Sequence, residues 1–163
     1  MNIGCIIRSV GERTERLCIE SVERCLPSSR IHILKNVYPF HNAVKQMFNI
    51  AKKHKYDWYL GLDADVILIE HWLKRAIYTV ENLQNQHYKI EFPLFDRFLK
   101  QTMYGVHFYN NLFTEEANTI LNETKDNTKP EGNIRHKISC PQYLDRCGHI
   151  GYHGYNQYYR DYW

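Results

Sequence analysis

No apolar run in this chain approaches the roughly 20 residues a membrane-spanning helix needs, so a helical transmembrane segment is excluded. The opening Met1-Asn2-Ile3-Gly4-Cys5-Ile6-Ile7-Arg8 is too short, and too soon broken by charge, to read as a secretory leader. Neither charge dominates: 21 Lys and Arg oppose 18 Asp and Glu, a net +3. That falls well short of the basic bias of nucleic-acid binders, and no nucleic-acid partner is expected. Repeats and low-complexity tracts are missing, so no domain boundary is expected either. Five cysteines, an odd number at no small-scaffold spacing, make no disulfide framework. With no leader, they point to a reducing, cytoplasmic compartment. No G-x-G-x-x-G follows the first apolar run, which counts against dinucleotide binding.

What is present is an ordinary globular composition, 44% hydrophobic and 24% charged over 163 residues, suited to one compact domain spanning 1–163. The length leaves open a missing C-terminal extension. One enrichment stands out, 13 Tyr and 9 His, with Tyr152, Tyr155, Tyr158, Tyr159 and Tyr162 gathered near the C-terminus. These aromatics would either line a site or, with Tyr155, Tyr158, Tyr159 and Tyr162 at helical spacing, dock a C-terminal helix on the core, the reading favoured for most of them.

The first half reads as alternating strands and helices. Residues 3–7, 31–34 and 58–62 are short apolar runs, read as buried strands. Between them Thr14 looks like a helix N-cap, and Leu17, Cys18, Ser21, Val22 and Cys25 recur at helical spacing until Pro27. Pro39 opens a longer helix to about residue 54, with Ala43, Val44, Met47, Phe48, Ile50 and Ala51 on its buried side. A third helix over 71–80 carries Trp72, Leu73, Ala76, Ile77 and Val80. The order β-α-β-α-β-α argues a parallel sheet with helical crossovers. Residues 92–95 and 104–109 look like later strands, 114–121 like a short helix, and 122–133 like a polar loop.

The strongest chemical signal is Leu60-Gly61-Leu62-Asp63-Ala64-Asp65-Val66-Ile67-Leu68. Two carboxylates separated by a small residue sit where an apolar strand ends. Ligands of open α/β sheets bind at the carboxyl ends of strands. Paired carboxylates suit hard divalent cations, with Mg²⁺ often bridging them to substrate phosphates. Asp-x-Asp alone would be a polar turn. Its placement after two β-α units favours a site.

With these residues the chain resembles the GT-A nucleotide-sugar glycosyltransferases, especially those related to family 2. The resemblance rests on Ile3-Gly4-Cys5-Ile6-Ile7-Arg8-Ser9-Val10-Gly11-Glu12, on Leu17-Cys18-Ile19-Glu20-Ser21-Val22, and on Trp58 through the acidic motif. A second stretch, Tyr152-His153-Gly154-Tyr155-Asn156-Gln157-Tyr158-Tyr159-Arg160-Asp161, looks like the His-containing segment that follows the core in some of these enzymes. The resemblance implies a Rossmann-like three-layer α/β/α fold with a mostly parallel central sheet. It implies a nucleotide-diphosphate sugar donor, a UDP-sugar first, and an unidentified glycan or other acceptor. Asp65 would ligate Mn²⁺ (or Mg²⁺), Asp63 would contact ribose or the metal's water, and His153 would be a third ligand. Arg8, Ser9 and Glu12 would flank the nucleotide, and Asn36 would approach the base. Each of the last three also reads blandly, as a turn residue, a solvated loop charge and a strand-ending residue.

A downstream carboxylate is needed for acceptor activation. Asp96 would be a general base or an acceptor-sugar contact, against a local ion pair with Arg97; Asp145 is the competitor. Cys140, Cys147, His149 and His153 offer a weak zinc pattern, because Cys-x6-Cys is wider than structural zinc spacing. A phosphatase of the haloacid-dehalogenase type would place its Asp-x-Asp on the first strand, which it is not. A binding module on the same fold, without turnover, remains the alternative.

Overall fold

A computed structural model describes residues 1–83, 86–124 and 129–155. The elements are β1 (Ile3–Ser9), α1 (Glu15–Glu23), β2 (Ile31–Lys35), α2 (Phe40–Lys53), β3 (Trp58–Asp63), β4 (Val66–Leu68) and α3 (Glu70–Leu83). They continue as β5 (Lys89–Asp96), β6 (Gln101–Asn110), α4 (Thr114–Glu123), α5 (Pro130–Lys137), β7 (Gln142–Leu144) and β8 (Gly151–His153). The strands form one sheet in the order β2-β1-β3-β6-β5-β8-β4, with β7 also pairing β5. Strands β1, β2 and β3 are mutually parallel, and β7 and β8 run parallel to β5. Strand β6 is antiparallel to both β3 and β5, and β4 is antiparallel to β8.

All seven residues of β1 are buried, as a strand covered on both faces must be. On one face Cys5, Ile7, Leu60 and Leu62 pack with Cys18 and Val22 of α1 and Leu73, Ala76 and Val80 of α3. On the other, Ile6, Tyr59 and Tyr109 pack with Val44, Met47 and Phe48 of α2, Ala117 and Leu121 of α4, and Ile134 of α5. The result is the expected three-layer α/β/α arrangement with a mostly parallel, curled sheet. Among the described residues no helix is long and apolar enough to cross a membrane.

Several expectations need correction. The stretch 122–133 is not all loop, because α5 begins at Pro130. Only Pro130 and Ile134 of that helix are buried, so it lacks an apolar stripe. Pro130 in the first turn and Arg135, His136 and Lys137 in the last are its remaining marks. Thr14 stands at the N-cap of α1, but its hydroxyl donates to the Ala64 carbonyl at 2.9 Å instead of capping the helix. It thereby ties α1 to the loop that carries the acidic motif. Ile50 is only half-buried. The tyrosines at 158, 159 and 162, and the docking expected of them, lie outside the described residues.

Candidate active site

Because β6 is antiparallel to both β3 and β5, strands β1, β2, β3, β5 and β8 all end at one edge of the sheet. That edge gathers Arg8 and Ser9 from β1, Asp63 from β3, Asp96 from β5 and His153 from β8, with Asp65 in the two-residue link from β3 to β4. Residues expected from scattered parts of the chain therefore meet at the edge where α/β sheets bind ligands.

A cavity of about 270 Å³ opens there, lined by the polar Arg8, Ser9, Glu12, Asp63 and Asp65 and by the apolar Val10, Leu34, Val37, Phe40 and Ala43. A larger hollow, about 410 Å³, lies near Lys52, Lys55, Asp57, Asn111 and Glu115 at the opposite edge. It gathers no residue of the acidic motif, and Lys52 and Glu115 pair with each other across it. Chemistry, not size, singles out the smaller cavity.

Arg8 is the hub of this wall. It is 7% exposed; Nε donates to Asp63 Oδ1 at 2.8 Å and Nη1 to Glu131 Oε1 at 2.7 Å. Its guanidinium carbon lies 4.7 Å from the centre of the Phe40 ring. Glu131, on α5, also accepts from the Tyr109 hydroxyl at 2.7 Å. Burial would weaken Arg8's hold on its proton, but Asp63 and Glu131 more than restore it. Burial likewise pushes Glu131 up, and Arg8, His107 and Tyr109 together bring it far below the usual carboxylate range. Asp63 is raised by burial, then by Glu131 and Asp65, with Arg8 opposing. With 45% of its side chain open to solvent, that rise is tempered.

Ser9 donates to Glu12 at 2.9 Å and also bonds Glu15, while Glu12 accepts from the Val10 backbone at 2.8 Å. Both therefore shape the turn after β1 as well as lining the cavity. Asn36 adopts φ 55°, and its backbone N–H donates to Ser9 at 2.8 Å. It closes the turn after β2; its neighbours Leu34 and Val37, not Asn36 itself, line the cavity.

Asp65 and His153 are brought together. Strand β8 lies between β4 and β5, in register Val66↔His153 on one side and Asp96↔His153 on the other. His153 Nε2 is 2.9 Å from Asp65 Oδ2, and Nδ1 is 2.8 Å from Asp96 Oδ2. The hydrogen bond to Asp65, opposed by burial and helped by Asp96, pushes the imidazole up to about 9. Asp96 is raised by burial, but the Leu99 N–H and His153 outweigh this and hold it below the carboxylate norm. Asp145 is not at this edge. It is buried beside Glu91, its N–H on the Glu91 carbonyl at 3.0 Å and its Oδ1 accepting from Cys147 N–H at 2.7 Å.

Asp63 is turned to Arg8, and the trio Asp63, Asp65 and His153 does not converge; among the described residues no group of three or more His, Cys, Asp and Glu is set to hold a metal ion. The zinc pattern fares no better, since His149 bonds Thr102 and Cys140 bonds the Gln86 carbonyl. The donor set nonetheless fits a divalent cation in kind. Asp65 Oδ1 is buried with no hydrogen-bond partner, and the Asp63 and Asp65 carboxylates line one cavity.

Sequence reasoning missed Glu131 and the buried pair Lys89–Glu91, whose Nζ and Oε1 are 2.5 Å apart under α5. Pro130-Glu131 is a helix-start signal that could have flagged the first. Nothing flags the second, since charged residues in a strand read as exposed.

The fold is that of the GT-A-like glycosyltransferases and nucleotidyltransferases. A glycosyltransferase involved in glycosylating the major capsid of PBCV-1 superposes with a TM-score of 0.61 at 16% identity, covering 94% of this chain and 93% of that one. A cytidylyltransferase from Leptospira borgpetersenii gives 0.62 at 12% identity, covering 90% and 77%. S. aureus TarS 1-349 in complex with UDP-GlcNAc gives 0.62 at 9% identity, covering 93% of this chain but 58% of that one. No protein-family model and no curated protein sequence matches the chain.

Proposed function

We propose that this chain is a metal-dependent glycosyltransferase that takes a sugar from a nucleotide-diphosphate sugar. The observation that carries the reading is the two-sided cavity at the carboxyl edge. Its apolar side, Leu34, Val37, Phe40 and Ala43, suits a nucleobase; its acidic side holds Glu12, Asp63 and Asp65 against a single Arg8. Arg8 is already matched by two carboxylates, so a diphosphate entering this side meets uncompensated negative charge. A divalent cation resolves that conflict, which is why Mn²⁺ or Mg²⁺ belongs to the reading.

Asp65 would hold the cation through its unpartnered Oδ1, with His153 Nε2 beside it. Asp63, fixed by Arg8, would contact the ribose or a water of the ion. When bound, the cation would act as Lewis acid and template for the leaving diphosphate. Phe40, over the guanidinium, would also limit water at the nucleotide. UDP is the favoured nucleotide because one superposing structure is described as a UDP-GlcNAc complex. All five cysteines are free thiols, in keeping with a cytoplasmic site of action.

One observation favours the binding-module reading instead. Asp96 and Asp145 are both buried and hydrogen-bonded, so neither stands ready to deprotonate an acceptor. Turnover separates the two. The transferase reading requires UDP release from UDP-sugars in the presence of Mn²⁺, lost in Asp65→Ala. Tight UDP binding without turnover over a panel of donors and acceptors would select the module, and binding of neither UDP nor Mn²⁺ would refute both.

A further inference from the structure

Asp96 was expected to serve the acceptor. Its surroundings point elsewhere. It is 3% exposed, its Oδ1 accepts from the Leu99 N–H at 2.6 Å, and its Oδ2 faces His153 Nδ1 at 2.8 Å. Both oxygens are engaged, and the carboxylate has no opening onto the cavity wall formed by Asp63 and Asp65.

An ionised carboxylate only accepts hydrogen bonds, so in the metal-free site Nδ1, facing Asp96, and Nε2, facing Asp65, both carry hydrogen. A cation taken up by Asp65 would displace the hydrogen on Nε2 while Asp96 keeps the one on Nδ1, which makes Nε2, 2.9 Å from Asp65 Oδ2, the nitrogen that can offer a lone pair to the ion. The backbone is fixed at the same place. His153 pairs with Asp96 across β5–β8 and with Val66 across β4–β8, and its carbonyl accepts from the Arg97 N–H at 3.0 Å. The strand pairing places the ring, and the Asp96 carboxylate sets its rotation and its tautomer.

From this geometry we infer that Asp96 is a positioning residue for the cation site, holding His153 with Nε2 directed at the ion bound by Asp65. The inference rests on the proposed divalent-cation site and adds a role for a residue that the cavity itself does not contain. Carboxylates that accept from the far nitrogen of a ligating histidine fix its orientation, and their loss typically weakens metal binding by roughly 10–100-fold.

The test is calorimetric titration of the purified protein with Mn²⁺ alone, for the wild type, Asp65→Ala, His153→Ala, Asp96→Ala, Asp96→Asn and the double variant Asp96→Ala/His153→Ala. Asp65→Ala and His153→Ala should each weaken Mn²⁺ binding; wild-type affinity in both would overturn the cation site and the inference with it. Asp96→Ala should weaken binding by roughly 10–100-fold. The double variant should bind no more weakly than His153→Ala, because Asp96 acts only through that ring. Wild-type affinity in Asp96→Ala, with His153→Ala impaired, would overturn the inference and leave the cation site standing. So would fully additive losses in the double variant. Because Asp96 also holds the Leu99 turn, Asp96→Ala risks misfolding. Asp96→Asn keeps the size and one acceptor oxygen, enough to hold the Leu99 turn, but sets an amide NH2 against Nδ1, so it should fold and still weaken Mn²⁺ binding. Nitrogen-15 imidazole spectra of the wild type with Mg²⁺ decide independently of either variant. Hydrogen on Nδ1 supports the inference, and hydrogen on Nε2 refutes it.

Discussion

Glu131 offers the sharpest test of how the cavity wall is built, because one substitution there leaves a buried cation short of a partner. Arg8 is 7% exposed and the Glu131 side chain 18%, so neither is well solvated. Removing one partner of a buried ion pair typically costs about 3–5 kcal/mol, most of it the penalty on the charge left behind. Here Asp63 remains on Arg8 at 2.8 Å, which lowers the cost, while the Tyr109 hydroxyl loses its acceptor, which raises it. Glu131→Ala should therefore lose about 2–4 kcal/mol of stability, and Glu131→Gln, which keeps an acceptor oxygen, about 1–2 kcal/mol. Urea unfolding followed by fluorescence of Trp58 and Trp72 reads both. The pH dependence is a second signature. Glu131 is held below its ordinary value of 4.5, so its contribution is complete above that pH and is lost as pH falls through and below it. The wild type should weaken on that acid limb, and Glu131→Gln should show a shallower one. A loss under about 1 kcal/mol in Glu131→Ala, or identical acid limbs, would refute the account of Arg8 as a cation held from two sides.

Without added metal, His153 makes the opposite pH prediction. Its imidazole is raised from 6.5 to about 9, so its stabilisation is complete below pH 6.5 and is lost as pH rises towards 9. Thermal midpoints from pH 6 to 9.5 should fall in the wild type and stay flatter in His153→Gln; parallel curves would contradict the paired carboxylates. Gly4→Ala should destabilise by about 1–3 kcal/mol, because the added Cβ would sit 2.2 Å from Cε2 of the buried Tyr56 ring. Unchanged urea midpoints would show that this ring gives way. Phe40→Ala should weaken UDP binding several-fold and leave Mn²⁺ binding unchanged, since the ring offers no ligand atom to an ion; equal affinity for UDP would remove Phe40 from the nucleotide site.

The legible part of the fold is the part with long apolar periods. Strands β1 and β3 are almost wholly buried, and α2 buries Ala43, Val44, Met47, Phe48 and Ala51 on one side, so their periodicity is visible in sequence. Strands β4, β7 and β8 have three residues each, too few for any period to emerge. Strand β5 begins three residues before the apolar run at Phe92, and Lys89 and Glu91 are buried there because they satisfy each other. For the site, the acidic motif at a strand end was readable, as was the meeting of Asp65 with His153. The partner of Asp63 was not. Arg8 and Glu131 are 123 positions apart, and only the folding of α5 over β1 and β6 makes Glu131 its counter-ion.

The two sides of the cavity depend on the fold differently. The apolar side comes mainly from β2, α2 and the link between them, elements adjacent in sequence and anchored to β1 by parallel pairing. The acidic side depends on β8, a three-residue strand inserted between β4 and β5, with His153 bonded to Asp65 and Asp96 from far earlier in the chain. Three residues of pairing hold little stability alone, so the Asp65–His153–Asp96 contacts help to seat the strand as much as the strand seats them. A cation taken up by Asp65 and His153 would tie β8 to the motif loop by a further link. The apolar half is thus formed by the core of the sheet, whereas the acidic half is completed only where β8 closes against it, and uptake of an ion there would be coupled to closure of that edge through the same two side chains.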